Sequence, residues 1–441
     1  KTAHMILGMN FEANYIVRFL NMKIPIKFYT FILITLIFFN CGSFKQNTIE
    51  LQEEKLNHIL DSYVESGVYP FLYARVEGES GTVYEHAVTD KDLLGNLKVD
   101  GDTWIRIWSM SKLVTISVAM DLIEENKLSL SDTVIKYIPE FKDLKVAVDK
   151  SGKSISQLTE VDNDCPHTLV DMDSIMLVKH LFNHTAGFYY TYTLSNCLNN
   201  RLSSLDIPTL YDGDELIEKL ATIPLVQQPG ESYHYGLNIA VLGLVIERIT
   251  GKNLAEVFEK RVIKKLGLTG LQYATPNGVT LIPAFTGKNG FLESVKKGDL
   301  PILGQYVPNY DSNQELFLGG VGMLGTAKGY IDYWRKLLDP DKSFLSKKSI
   351  SKMTSRPLDF PKDRGYQTGF GSYITGKGDH QKDLLTVGGY EFTKAWVDRE
   401  NKLFGVLFSQ VHSTTDGDGL GSKMEKEFYK ELYSQLNNSK H

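Results

Sequence analysis

Trp108-Ser-Met-Ser-Lys112 runs directly into the apolar stretch 113–123 of a 441-residue chain. Its hydroxyl and its amine stand three positions apart. On a helix such residues share one face, with Cβ atoms roughly 5–6 Å apart, so Lys112 reaches Ser109. A serine hydroxyl is a weak nucleophile until a neighbouring base takes its proton. A lysine serves as that base when burial near a helix N-terminus lowers its pKa. The same spacing recurs at Ser294/Lys297 and Ser349/Lys352. Those copies sit among Glu293, Lys296, Lys347 and Lys348 and read as solvated faces. Only the first copy opens an apolar helix, where a lysine needs a reason.

Length favours two lobes over one core. A hydrophobic fraction of 42% and a charged fraction of 23% are ordinary for a folded domain. The net charge of −5 gives no sign of a nucleic-acid partner. With 23 Tyr and 22 Phe the chain can furnish an aromatic-lined cleft. Near the N-terminus, Met22-Lys-Ile-Pro-Ile-Lys27 is basic, residues 28–39 are mostly apolar, and Cys41 follows. That run is too short to span a bilayer and has the shape of a secretory signal. The cysteine resembles the lipidated first residue of a bacterial lipoprotein, although Asn40 departs from the small residue usual there. The alternative is an uncleaved anchor. Either way the sequence predicts an exported, membrane-tethered body in the cell envelope or periplasm. Residues 1–21 read as an upstream extension without fold logic, 22–40 as the signal and 41–49 as a tether. In an oxidising compartment Cys165 and Cys197 are candidates for a disulfide, which sequence leaves open.

Along the body, 51–64 has helical spacing with Gly67 as a stop. Residues 72–77 and 82–87 read as strands around the turn 78–81. Residues 128–137 read as an amphipathic piece and 146–171 as a long polar excursion. Segments 174–182, 213–221, 240–249, 254–266 and 327–338 read as helices. Residues 369–374, 384–387, 394–397 and 403–411 read as strands before a last helix over 424–436. Strands at both ends with helices between them predict an α+β fold. A sheet lobe forms from about 50–108 and 365–437, and an all-helical lobe is inserted over about 109–364.

Several segments together resemble the serine β-lactamase and penicillin-binding protein superfamily, and within it the class C-like branch of esterases. They are Asp102-Thr-Trp-Ile-Arg-Ile-Trp-Ser-Met-Ser-Lys112, Leu128-Ser-Leu-Ser-Asp-Thr-Val-Ile-Lys-Tyr-Ile-Pro-Glu-Phe141 and His180-Leu-Phe-Asn-His-Thr-Ala-Gly187. Pro229-Gly-Glu-Ser-Tyr-His-Tyr-Gly236, Leu242-Gly-Leu-Val-Ile-Glu-Arg-Ile-Thr-Gly251 and the glycine segment 319–325 follow in the family's order. The likeness covers about 50–437. It implies an antiparallel sheet flanked by helices, packed on a helical lobe, with the cleft between them. It also implies that Ser109 is acylated, that Lys112 assists proton transfer and that Tyr235 relays protons. A phenol of ordinary pKa near ~10 becomes a usable base beside a cation, which Lys112 would supply. The third motif is placed at Val387-Gly388-Gly389, and the Tyr390 N–H would join that of Ser109 as an oxyanion hole. Leu237 and Asn238 are placed with Val387, Gly388 and Gly389 along the substrate cleft.

Two departures bear on substrate. Leu237 stands where many members carry a side-chain amide, with Asn238 one place late, and Val387 stands where many carry Lys or His. Loss of those polar groups favours neutral acyl substrates such as esters. The competing expectations are a D-amino-acid peptidase or β-lactamase acting on cell-wall amides, and a catalytically weak binding module of the same fold. A Ser-His-Asp reading of His184 and His234 is set aside, because His184 lies in a segment whose family role is structural. A zinc reading of His180 and His184 lacks a third ligand. The glycine segment lacks the Gly-Lys-Ser/Thr ending of a phosphate loop. The expectation is therefore a serine hydrolase with no cofactor and no metal, acting on a small acyl substrate.

Overall fold

The computed structural model describes residues 51–157, 167–193, 198–288, 291–300, 302–304, 308, 310–311, 313, 315–355, 367–368, 373–375, 384–412 and 422–438. The predicted signal and tether, together with Cys41, Cys165 and Cys197, lie outside these residues. No helix among the described residues is long and apolar enough to cross a membrane.

Helix α1 (Glu53–Glu65) buries Leu56, Leu60 and Val64, one residue per turn, and opens with Glu53 and Glu54. Acidic residues suit a helix N-terminus, whose free N–H groups carry partial positive charge. Gly67 ends the segment at φ +72°, a conformation that costs glycine little. Strands β1 (Phe71–Gly78) and β2 (Gly81–Thr89) form a hairpin. The deciding long-range pairing joins β1 to β5 (Leu403–Phe408), with Tyr73 opposite Phe408 and Glu77 opposite Phe404. Strand β4 (Thr393–Asp398) pairs β5 on its other edge, and β3 (Leu384–Gly389) pairs β4. Tyr373–Thr375 and Gln367–Thr368 complete a seven-stranded sheet in which every neighbour is antiparallel.

Strand β4 is buried along its whole length, so it is covered on both faces. On one face lies α5 (Lys423–Asn438), where the Trp396 and Tyr429 rings meet edge-on at 4.9 Å. Helix α1 packs beside α5. On the other face lie α4 (Ala327–Leu338) and the inserted lobe. The lobe centres on α2 (Ser111–Glu124) and α3 (Asn238–Thr250). All of 111–122 is buried in α2, whose apolar residues run around the whole helix, while Ser111, Lys112, Thr115, Ser117 and Asp121 are buried among them.

The inserted lobe is refined from all-helical, since three small ladders accompany its helices. Lys145–Val148 pairs Thr168–Asp171, inside the stretch expected to be a polar excursion. Leu324–Gly325 joins Ile105–Arg106 and Leu271–Gln272, and Phe285–Lys288 joins Phe291–Ser294 and Val411–His412. These strands run two to four residues, too short for alternation to stand out from background. An expected amphipathic piece and an expected helix also contract. Residues 128–137 keep only the 3₁₀ turn Val134–Lys136, and 174–182 only Val178–Phe182.

Candidate active site

The turn that carries Ser109 is held in a costly backbone. Trp108 takes φ +47°, which L-residues other than Asn and Asp rarely adopt. Its indole is wholly buried and meets the Tyr390 ring edge-on at 5.4 Å. The 3₁₀ turn Trp108–Met110 then enters α2. Ser109 is left half-buried at the lobe boundary while Lys112 is buried one turn on. Tyr330 donates to Met110 O at 2.9 Å and Met323 N donates to Ser111 Oγ at 3.1 Å, fastening the turn to the following segments.

Two polar groups converge on the serine. Lys112 Nζ donates to Ser109 Oγ at 3.0 Å, and Tyr235 Oη donates to the same oxygen at 3.0 Å. Lys112 Nζ also donates to Gly320 O at 2.7 Å and lies 3.3 Å from Tyr190 Oη. It stands 5.0 Å from the centre of the Tyr235 ring and 5.4 Å from that of Tyr190. Every one of these partners is neutral. Burial therefore holds the Lys112 ammonium down at about 7. Burial likewise pushes the Tyr190 phenol well above its ordinary value. A serine next to an amine that titrates near neutrality can be deprotonated at modest cost.

The third-motif strand passes beside the Ser109 turn. A Cβ at Gly389 would come within 2.5 Å of Ile107 O, so only glycine allows this approach. Thr393 Oγ1 donates to Ile107 O at 3.3 Å. The Tyr390 ring rests on Trp108, which brings residue 390 alongside the nucleophile turn. A buried amide clasps the same region. Gln410 Oε1 accepts from Arg106 N at 2.9 Å, and its Nε2 donates to Arg106 O at 3.2 Å.

Three of the residues expected to border the cleft do not line open space. Val387 is buried in the core, and Leu237 is buried at the start of α3. Asn238 is fully buried, and its Nδ2 lies within 3.3–3.4 Å of His184 Nδ1, Phe188 O and His234 O. The reason is the onset of α3 at Asn238, which turns both side chains into the lobe instead of the groove. Gly388 and Gly389 are half-buried.

The histidines are committed elsewhere. His184, at φ +56°, packs its ring 4.8 Å from that of Tyr235. Burial, with Lys112 and His234 nearby, keeps it neutral well below its ordinary pKa. His234 Nε2 lies 3.3 Å from Thr193 Oγ1, and His180 Nδ1 accepts from Leu177 N at 3.2 Å. No group of three or more metal-ligating side chains occurs among the described residues. Gly319 and Gly320 run along α2, where Thr115 Oγ1 donates to Gly319 O at 2.7 Å. At the other serine–lysine copy within a helix, Ser349 lies in the capped start of Lys347–Thr354, and Lys352 is exposed.

The beta-lactamase family model matches residues 56–423. The chain belongs to the beta-lactamase family. Lovastatin esterase of Penicillium rubens is 25% identical over 388 residues, covering 80% of this chain and 90% of that one. Protein Rv1367c of Mycobacterium tuberculosis is 28% identical over 217 residues, 49% of this chain. That match spans about half of the relative's own length, 50%. The structure of EstCE1, described as a hydrolase with promiscuous acyltransferase activity, superposes with a TM-score of 0.67 at 20% identity. It covers 86% of this chain and 98% of that one, and at this identity the likeness speaks for the fold. Within this beta-lactamase-family site, Tyr190, Gly320 O and Gln410 went unpredicted by sequence. Each acts through a contact more than 50 residues away in the chain, and only the aromatic run Phe188-Tyr-Tyr190 hinted at one of them.

Proposed function

We propose that this chain is a serine hydrolase that works through an acyl-enzyme, esterase-like and selective for neutral acyl substrates. The observation that carries the reading is the placement of Ser109 Oγ at 3.0 Å from both Lys112 Nζ and Tyr235 Oη. With its pKa lowered to about 7 by burial, Lys112 reaches its neutral form near pH 7 and in that form accepts the serine proton. Ser109 Oγ bonds to the substrate carbonyl carbon. The carbonyl oxygen takes the negative charge beside the backbone N–H groups of Ser109 and Tyr390. A donor of this kind is worth about 10²–10³ in turnover. Tyr235, recharged by Lys112, protonates the departing alkoxide. Water then attacks the acyl carbon by the reverse route and frees Ser109. Neutral partners around Lys112 support a preference for uncharged esters over carboxylate-bearing lactams and peptides.

Ser109→Ala is expected to abolish turnover of a short-chain p-nitrophenyl ester and labelling by a fluorophosphonate probe. Activity retained in that variant overturns the assignment. The basic segment, apolar run and Cys41 support export and lipid tethering of the same protein. In that case Cys41→Ser moves it from the membrane fraction to the soluble one, and an unchanged distribution rules out tethering through a lipid on Cys41.

A further inference from the structure

The two N–H donors assigned to the oxyanion hole come from strained backbone on segments far apart in the chain. Trp108, just before Ser109, takes φ +47°, and Phe392, two residues after Tyr390, takes φ +60°. Bulky L-residues hold such a conformation only where their surroundings over-determine it. The two segments lie against each other, since a Cβ at Gly389 would meet Ile107 O at 2.5 Å and Trp108 Cβ at 3.1 Å. The backbone of the second segment is pinned from behind by the 409–411 stretch. Glu391 O accepts from Val411 N at 3.2 Å, and Phe392 O accepts from Ser409 N at 2.9 Å.

A side chain supplies a further tie. Glu391 is fully buried. Neither of its carboxyl oxygens has a close hydrogen-bond partner among the described residues, and the same holds for Trp108 Nε1 and Arg106 Nε. Burial pushes the Glu391 carboxyl above its ordinary pKa, while the Arg106 guanidinium and the Trp108 N–H beside it pull it back. Arg106 is half-buried and has a partner of its own, since its Nη1 donates to Ile282 O at 2.9 Å. The Trp108 indole N–H is left with the Glu391 carboxyl to face. A buried acid with unfilled oxygens is costly, and an apolar side chain would fill the same space at lower cost. Stability of the fold gives no reason for an acid here, whereas the nucleophile turn does.

Resting on the hydrolase reading above, we propose that Glu391 is a positioning residue that reaches from the Tyr390 segment to the Trp108 indole and so sets the spacing of the Ser109 and Tyr390 N–H groups. The role needs an oxygen that accepts from the indole, not a charge. Glu391→Leu removes that oxygen and Glu391→Gln keeps one. With p-nitrophenyl butyrate, Glu391→Leu should lower kcat by about 10–10²-fold with KM little changed, because misplaced donors matter most once the carbonyl oxygen is charged. Glu391→Gln should recover most of that loss. Chemical denaturation should find Glu391→Leu no less stable than wild type, which separates positioning from unfolding. A second readout needs no turnover. In protein labelled with 15N-tryptophan, the indole N–H signal that vanishes in Trp108→Phe should move upfield in Glu391→Leu and stay near its wild-type place in Glu391→Gln. A signal unmoved by Glu391→Leu overturns the tie. A moved signal with unchanged kcat overturns the positioning role, as does a loss of kcat that parallels a loss of stability and is not rescued by Gln. If the wild type is inert to esters and to the fluorophosphonate probe while the signal still moves, the hydrolase reading falls and the tie stands.

Discussion

Lys112 and Lys394 are both buried lysines, at 6% and 3% exposure, and burial depresses the pKa of each. Their surroundings differ in one respect. Lys394, on the outer face of the sheet, faces the Glu425 carboxylate at 3.7 Å. Among the described residues Lys112 has only hydroxyls and a carbonyl as hydrogen-bond partners. A carboxylate fixes a proton on the amine, whereas neutral acceptors leave it free to move. Burial alone therefore does not make a base; burial next to neutral groups and a hydroxyl does.

The contrast breaks most readily at Lys112. Lys112→Met is expected to lower kcat/KM for a p-nitrophenyl ester by about 10²–10⁴. A loss of less than tenfold would mean that Tyr235 works without the amine. Lys394→Met strands the buried Glu425 carboxylate and should cost about 3–5 kcal/mol in chemical denaturation. Adding Glu425→Leu should recover most of that loss while kcat/KM stays near wild type. If the double variant remains as unstable as the single one, the pair is held by packing and not by charge.

pH sharpens the same comparison. The wild-type kcat/KM should rise as pH passes about 7, because the neutral Lys112 amine is the form that accepts a proton. The Lys112→Met profile should lack that limb. Stability moves with it. Between about 7 and 10.5 the unfolded chain holds the Lys112 proton more tightly than the fold does, so its contribution to stability grows as pH rises across that window. Thermal unfolding of wild type against Lys112→Met over that range checks the sign.

Glu247 is the mirror case and gives the smallest expected effect. Burial raises its carboxyl to about 7, above an ordinary 4.5, while it accepts from Leu254 N at 2.6 Å. The fold retains this proton longer than the unfolded chain does, so stability falls as pH climbs from 4.5 to 7. Glu247→Gln keeps the accepting oxygen and discards the charge. It should stabilise the protein by on the order of 2 kcal/mol near pH 8 and by about nothing near pH 4. A flat difference across pH would show that the fold does not raise the Glu247 carboxyl above its unfolded value.

Much of this molecule is written locally in its residues. The Ser109/Lys112 unit is an intrahelical spacing, so adjacency in sequence already implies adjacency in space. The largely apolar run after it predicts a helix buried on all sides, and α2 is one. The strand over 403–408 carries enough apolar residues to announce itself without its partners. What required tertiary structure is everything that arrives from a distance. The carbonyl of Gly320, the phenol of Tyr190 and the Gln410 clasp owe their places to the packing of segments 78 to 304 residues apart, and no local pattern encodes such a meeting. The same limit explains Leu237 and Asn238. Whether they point into a groove or into a core depends on where α3 begins and what it rests against, and a helix takes that direction from its neighbours, not from its own composition.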